Sequence, residues 1–111
     1  MVFKDRFELG DYDPELKGSY ILLRLFGREE IAKYIEELNK RLVDDMEADA
    51  AMLVMDHIYD ALKGAFEGGV VMENGKERDM TTEDIESIPL NVAKDANKLL
   101  QGSLTKKNYV R

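Results

Sequence analysis

Apolar residues recur every three or four positions through the middle of the chain and again near its end, and one compact apolar run near the start breaks that rhythm. Ile31, Tyr34, Ile35, Leu38, Leu42 and Met46 fall on a single stripe, which predicts an amphipathic helix over residues 27–46. Glu29 and Glu30 sit in its first turn, where the helix dipole favours acids. Glu36 and Glu37 precede Lys40 and Arg41 by four positions, which adds small surface pairings. A second line of Ala51, Met55, Ile58, Leu62 and Phe66, widened by Met52 and Tyr59, predicts a helix over residues 48–66 that Gly68-Gly69 stops. No proline separates the two patterns, so one long helix is allowed. The acid cluster Asp44, Asp45, Glu47 and Asp49 favours a break and a helical hairpin.

The run SYILLRLF, residues 19–26, is short, rich in aromatic and branched side chains and bracketed by Gly18 and Gly27, which predicts a strand. Its backbone needs a partner. Residues 70–80 supply the best one, with Asn74-Gly75 as a tight-turn signal. The segment after that turn, KERD, reads as too polar for a convincing further strand, so the expected sheet is small. Residues 1–18 are polar and punctuated by Gly10, Pro14 and Gly18, which predicts an extended or partly mobile arm, with Phe3 and Phe7 as anchors.

DMTTEDIESIPLNVAKDANKLL, residues 79–100, spells two helix starts close together. Thr81 suits an N-cap with Asp84 as the returning acid, and Met80 and Ile85 have the spacing of a hydrophobic staple. Pro89 ends this short helix near Ser87 and then fits the first turn of the next. Val92, Ala96, Leu99 and Leu100 give that last helix its stripe, and Gly102 closes it. The whole predicts a mainly α fold: a helical hairpin plus short C-terminal helices, with one short strand or small β-hairpin. Residues 1–18 form the arm, 19–102 a single helical domain and 103–111 a basic C-terminal tail.

Composition then narrows the function. The chain has 111 residues, enough for one domain, and 44% of them are hydrophobic, as in ordinary folded proteins. Charged residues reach 35%, against a usual share of about 25%, which points to long solvated helix faces. A net charge of −7 with bases interleaved among acids argues against nucleic acid, and only Lys106 to Arg111 is locally basic. The absence of cysteine rules out disulfides, thiolate metal sites and a Cys nucleophile. Apolar runs fall short of the roughly 20 residues of a membrane helix, and MVFKDRFELG lacks a signal-peptide core, so a soluble intracellular protein is expected.

Candidate chemistry is thin. His57, flanked by Asp56 and Asp60, has the composition of a metal ligand or general base with its orienter, but no second His accompanies it, and it reads as an ordinary surface or boundary histidine. Asp45, Asp49, Asp56 and Asp60 share one side of the second helix, yet no alternating loop or second acidic helix completes a divalent-cation site, and a solvated face is the simpler reading. GAFEGG lacks the context of a phosphate loop, and Ser19, Ser87 and Ser103 sit in no nucleophile elbow. No catalytic, cofactor-binding or metal-binding residue is therefore assigned, and which residues touch a partner is not legible here. Met-rich faces serve either as core or as adaptable binding surface.

The order of these elements, carried by YILLRLFGREEIAKYIEEL (residues 20–38) and MTTEDIESIPLNVAKDANKLL (residues 80–100), resembles the small tail assembly chaperones of long-tailed bacteriophages and related prophages. SIPL stands where that family has an LPL-like stretch, while Phe26-Gly27 replaces its Ser-Gly entry to the first helix and LLQGSL its Leu-Asn-Gly ending. The resemblance implies a non-catalytic protein of the host cytoplasm, without cofactor. It would bind the tape measure protein by helix-in-groove contacts, help recruit tail tube subunits and leave the finished particle. Homo-oligomerisation is in keeping with such a role. The other readings are a small self-associating helical interaction module, such as a head–tail or tail component of the virion, and a metal-dependent hydrolase using Asp49, Asp56 and Asp60.

Overall fold

The strand expected at the apolar run is β2 (Tyr20–Arg24), and in the computed structural model, which describes residues 1–102, it lies inside a sheet rather than at the margin of a helical domain. β1 (Lys4–Glu8) pairs with it on one side and β3 (Phe66–Glu73) on the other, and β4 (Lys76–Asp79) completes an antiparallel sheet in the order β1-β2-β3-β4. Helical turns account for 53% and strands for 22% of the described residues. The fold is therefore α+β, and the expectation of a mainly α protein with at most a small hairpin is corrected.

The reason lies in the two edge strands. β1 comes from the segment expected to be an arm; of KDRFE only Phe7 is buried, opposite Ile21, so a burial signal had one residue to show. β4 buries nothing at all. It exists because Asn74 and Gly75 both adopt positive φ, 52° and 77°, the geometry of a type I′ turn, and because the ladder from Val70↔Asp79 to Glu73↔Lys76 satisfies its backbone. Charged side chains on both edges also protect the sheet against pairing with a foreign strand. The expected strand over residues 70–80 starts earlier: α2 ends at Ala65, and β3 begins at the next residue and runs through Gly68-Gly69. There the register with β2 shifts, Leu22 facing Gly68 and Leu23 facing Phe66, which leaves Glu67 as the extra residue of a bulge.

The connection between β2 and β3 is the helical hairpin. α1 (Arg28–Asp44) and α2 (Ala50–Ala65) are separate helices, broken at the acid cluster: Asp45 ends α1, and Asp49 caps α2 by accepting from the Ala51 N–H at 2.9 Å. After β4, the double start folds as expected. Asp84 Oδ2 accepts from the Thr81 N–H at 2.8 Å, α3 (Thr82–Ile85) is a single turn, and Met80 and Ile85 are both buried. α4 (Leu90–Leu100) starts one residue later than expected, with Pro89 as its cap and its carbonyl accepting from Val92 and Ala93. Gly102, at φ 72°, follows its end. The elbow thus seats α4 on α2. One core unites Phe7, Ile21 and Leu23 of the sheet with Ile58, Leu62 and Ala65 of α2, with Met80, Ile85 and Ile88, and with the stripe of α4. The tail at residues 103–111 lies outside the described residues.

Candidate functional site

α1 is the amphipathic helix expected, but Tyr34 is the one buried residue among its 17. Ile31, Leu38 and Leu42 are half-covered, while Ile35 is 51%, Val43 67% and Met46 84% exposed, and Met52 at the start of α2 is 51% exposed. Helical steps of about 100° place Ile31, Ile35, Leu38 and Leu42 within one quarter of the surface of α1, and Met46 follows just past its end. None of them lines the shallow ≈570 Å³ groove on the hairpin, which is walled by Glu37, Lys40, Asp44, Asp45 and Leu53. One flank of the hairpin is thus polar and the other apolar.

α2 is held in the body by its core residues, and a buried polar joint ties α1 to α2 and α4. His57 Nε2–H donates to the Tyr34 carbonyl at 2.9 Å, their rings lie 4.4 Å apart, and Asn97 Nδ2 on α4 donates to the Tyr34 hydroxyl at 3.2 Å. Burial pushes the Tyr34 phenol above its ordinary value, opposed by the hydrogen bond from Asn97. His57 Nδ1 and Asn97 Oδ1 have no partner among the described residues. Sequence reading placed His57 at a surface or boundary, and it is interior. Its flanking acids are not its orienters: Asp56 is exposed, and Asp60 takes Arg41 at 2.6 Å. The other acids considered together serve apart, Asp45 at the end of α1 and Asp49 as the cap of α2. Among the described residues no group of three or more His, Asp or Glu is placed to hold a metal ion.

Beside the joint lies a ≈370 Å³ cleft between the helices. Its charges neutralise one another: Arg24 with Glu30 at 2.6 Å, Arg41 with Asp60 at 2.6 Å and Lys33 with Glu37 at 3.9 Å. The Arg24 guanidinium holds the Glu30 carboxyl below its usual range. A cleft so balanced presents no net field to a charged ligand. A second groove, ≈530 Å³, runs between β3, the turn at Tyr12 to Leu16 and the α3–α4 elbow. Its one cation, Arg78, is already taken by Glu73 and Asp84 at 2.8 and 2.9 Å.

Sequence reading missed the residues that fix this arrangement. Ser19, weighed only as a nucleophile, is fully buried and accepts from the Met72 N–H at 2.8 Å, tying β2 to β3 beyond the bulge. Asn97 was passed over within an apolar helix; its position one residue from Ala96 on the stripe was the available signal. No described helix is long and apolar enough to cross a membrane. No protein-family model, no curated protein and no solved structure matches the chain.

Proposed function

We propose that the chain is a non-catalytic docking protein, and specifically a phage tail assembly chaperone that holds the tape measure protein and helps bring tail tube subunits to it. The observation that carries the docking role is the hairpin: an amphipathic helix of 17 residues that buries only Tyr34, leaves Ile31, Leu38 and Leu42 half-covered and exposes Ile35. Monomeric soluble proteins leave such patches open chiefly where something binds. Methionines at its end, Met46, Met52 and Met55, give an adaptable surface of the kind used for varied helical partners. The step from docking to tail assembly rests on the resemblance of residues 20–38 and 80–100 described above.

The test is capture in the natural host with its prophage induced, alongside protein analysis of finished virions. Recovery of a tape measure or tail tube protein with the tagged chain, together with absence of the chain from virions, is the expected outcome. A stoichiometric place in the virion makes it a tail or connector part instead. Recovery of the chain alone removes the chaperone reading.

A further inference from the structure

The hairpin is acidic, and its acids gather at one end. Residues 28–65 hold ten acids and five bases, a net −5, and the rest of the described residues hold thirteen acids and eight bases, also a net −5 but over a longer stretch of chain. Asp44, Asp45, Glu47 and Asp49 cluster at the turn of the hairpin, where Met46 and Met52 are exposed. All four of these acids are exposed.

From this combination we infer that the apolar face of the α1–α2 hairpin binds a cationic amphipathic helix of a partner protein, an inference that rests on the docking role proposed above. Three arguments select this occupant. The stripe from Ile31 to Leu42 is a straight track of about 16 Å, about three turns, and exposed Met46 extends it beyond the end of α1. Strand addition has no comparable seat, since both sheet edges are short and charged. A second copy of this chain on the same face would bring two anionic hairpins together, and like charges at close range oppose that. A helix carrying Leu on one side and Lys or Arg on the other meets both demands: apolar contact on the track and counter-charge at its acidic end.

The probe is a fluorescein-labelled peptide of about 18 residues with Leu at three-and-four spacing and Lys elsewhere, added to the full chain. Two controls accompany it: the same peptide with Glu for Lys, and one of identical composition with the Leu spacing broken. The expected result is saturable micromolar binding of the first peptide, at least about tenfold weaker binding of both controls, and weakening as salt is raised. The doubly substituted chain Ile35→Ser, Met46→Ser, altered only at exposed positions, should lose at least about tenfold in affinity with an unchanged melting temperature. Methionine methyl NMR locates the contact independently: Met46, Met52 and Met55 should shift, while Met72 and Met80 in the body stay in place. Equal binding of the Glu peptide or the reordered peptide overturns the inference, as do shifts confined to Met72 or Met80. Methyl shifts of Met46 and Met52 that grow with protein concentration alone overturn it in favour of a second copy. Failure here with the tape measure protein still captured in the host removes only the cationic-helix inference. Peptide binding without that capture removes only the tail assembly reading.

Discussion

α1 and α4 are both amphipathic, and they end in opposite circumstances. α4 buries six of its 11 residues, Val92, Ala93, Ala96, Asn97, Leu99 and Leu100, while α1 buries one of 17. Acids also crowd the far end of α1, where Asp44, Asp45, Glu47 and Asp49 lie within six residues. A periodic stripe states that a face has to be covered; it does not state whether the same chain provides the cover. α4 is covered because the elbow at Thr81 to Pro89 aims it onto α2, with Met80, Ile85 and Ile88 as anchors on the core. α1 enters from β2 through Gly27 and packs chiefly on α2, with the Tyr34–His57 joint as its buried contact. The difference separates residues that maintain the fold from residues available to a partner, and mutation can test that separation.

The largest effect is expected where the body has no room. A Cβ on Gly69 would lie 2.4 Å from the Tyr20 carbonyl oxygen, and Gly69→Ala therefore has to push β3 away from β2 at the bulge. We expect a loss upward of about 4 kcal/mol in urea unfolding, or no folded protein. The direct comparison of the two regions follows. Leu62, fully buried between sheet and α4, should cost about 3 kcal/mol as Leu62→Ala, whereas Met46→Ala should change stability by less than about 0.5 kcal/mol. Equal losses at the two positions would mean that the hairpin end is packed in solution, and the distinction between body and docking element would fall.

Much of this division was legible in the sequence, though not as a division. Asn74-Gly75 announced its turn because positive φ at two successive residues selects that pair. Thr81, Asp84 and Pro89 announced the elbow because caps act locally. The acid cluster at Asp44 to Asp49 marked the break between α1 and α2. Edge strands were lost because their energy lies in backbone pairing with a distant partner: KERD shows no apolar residue, and KDRFE shows one. The joint was lost for the same reason in another form, since Tyr34, His57 and Asn97 come from three helices, and their partnership depends on how those helices meet. The stripe of α1 was visible throughout, and only the structure shows that it is left half-covered.

At that joint a smaller effect is expected. Tyr34→Phe keeps the ring against His57 and removes the hydroxyl that accepts from Asn97, which leaves a buried amide donor unpaired. The cost should be about 1–2 kcal/mol, with faster amide exchange in α1 than in α4. Uniform acceleration across both helices would show that the hairpin and the body open as one unit, and that the joint does not separate them.

The smallest effect lies at the elbow and depends on pH. The Arg78 guanidinium beside Asp84, followed by the Thr81 N–H, lowers the Asp84 carboxyl from 3.8 to about 2. A carboxyl lowered on folding contributes stability that is fully present above its unfolded value. That contribution fades as pH falls from about 4 toward 2 and is absent below both values. Because the pair is partly solvated, with Arg78 41% exposed, its worth is screened, and Asp84→Asn should cost less than about 1 kcal/mol at neutral pH. Glu30 beside Arg24 and Glu67 beside Lys4 are also held low, so the native protein loses stability in acid from several groups at once. The difference between wild type and Asp84→Asn isolates the elbow: the two stability curves should converge as pH drops from 4 to 2 and run parallel above pH 5. Curves that stay parallel throughout would show that the Arg78–Asp84 charge pair does nothing for the seat of α4, leaving Met80, Ile85 and Ile88 to hold it by packing alone.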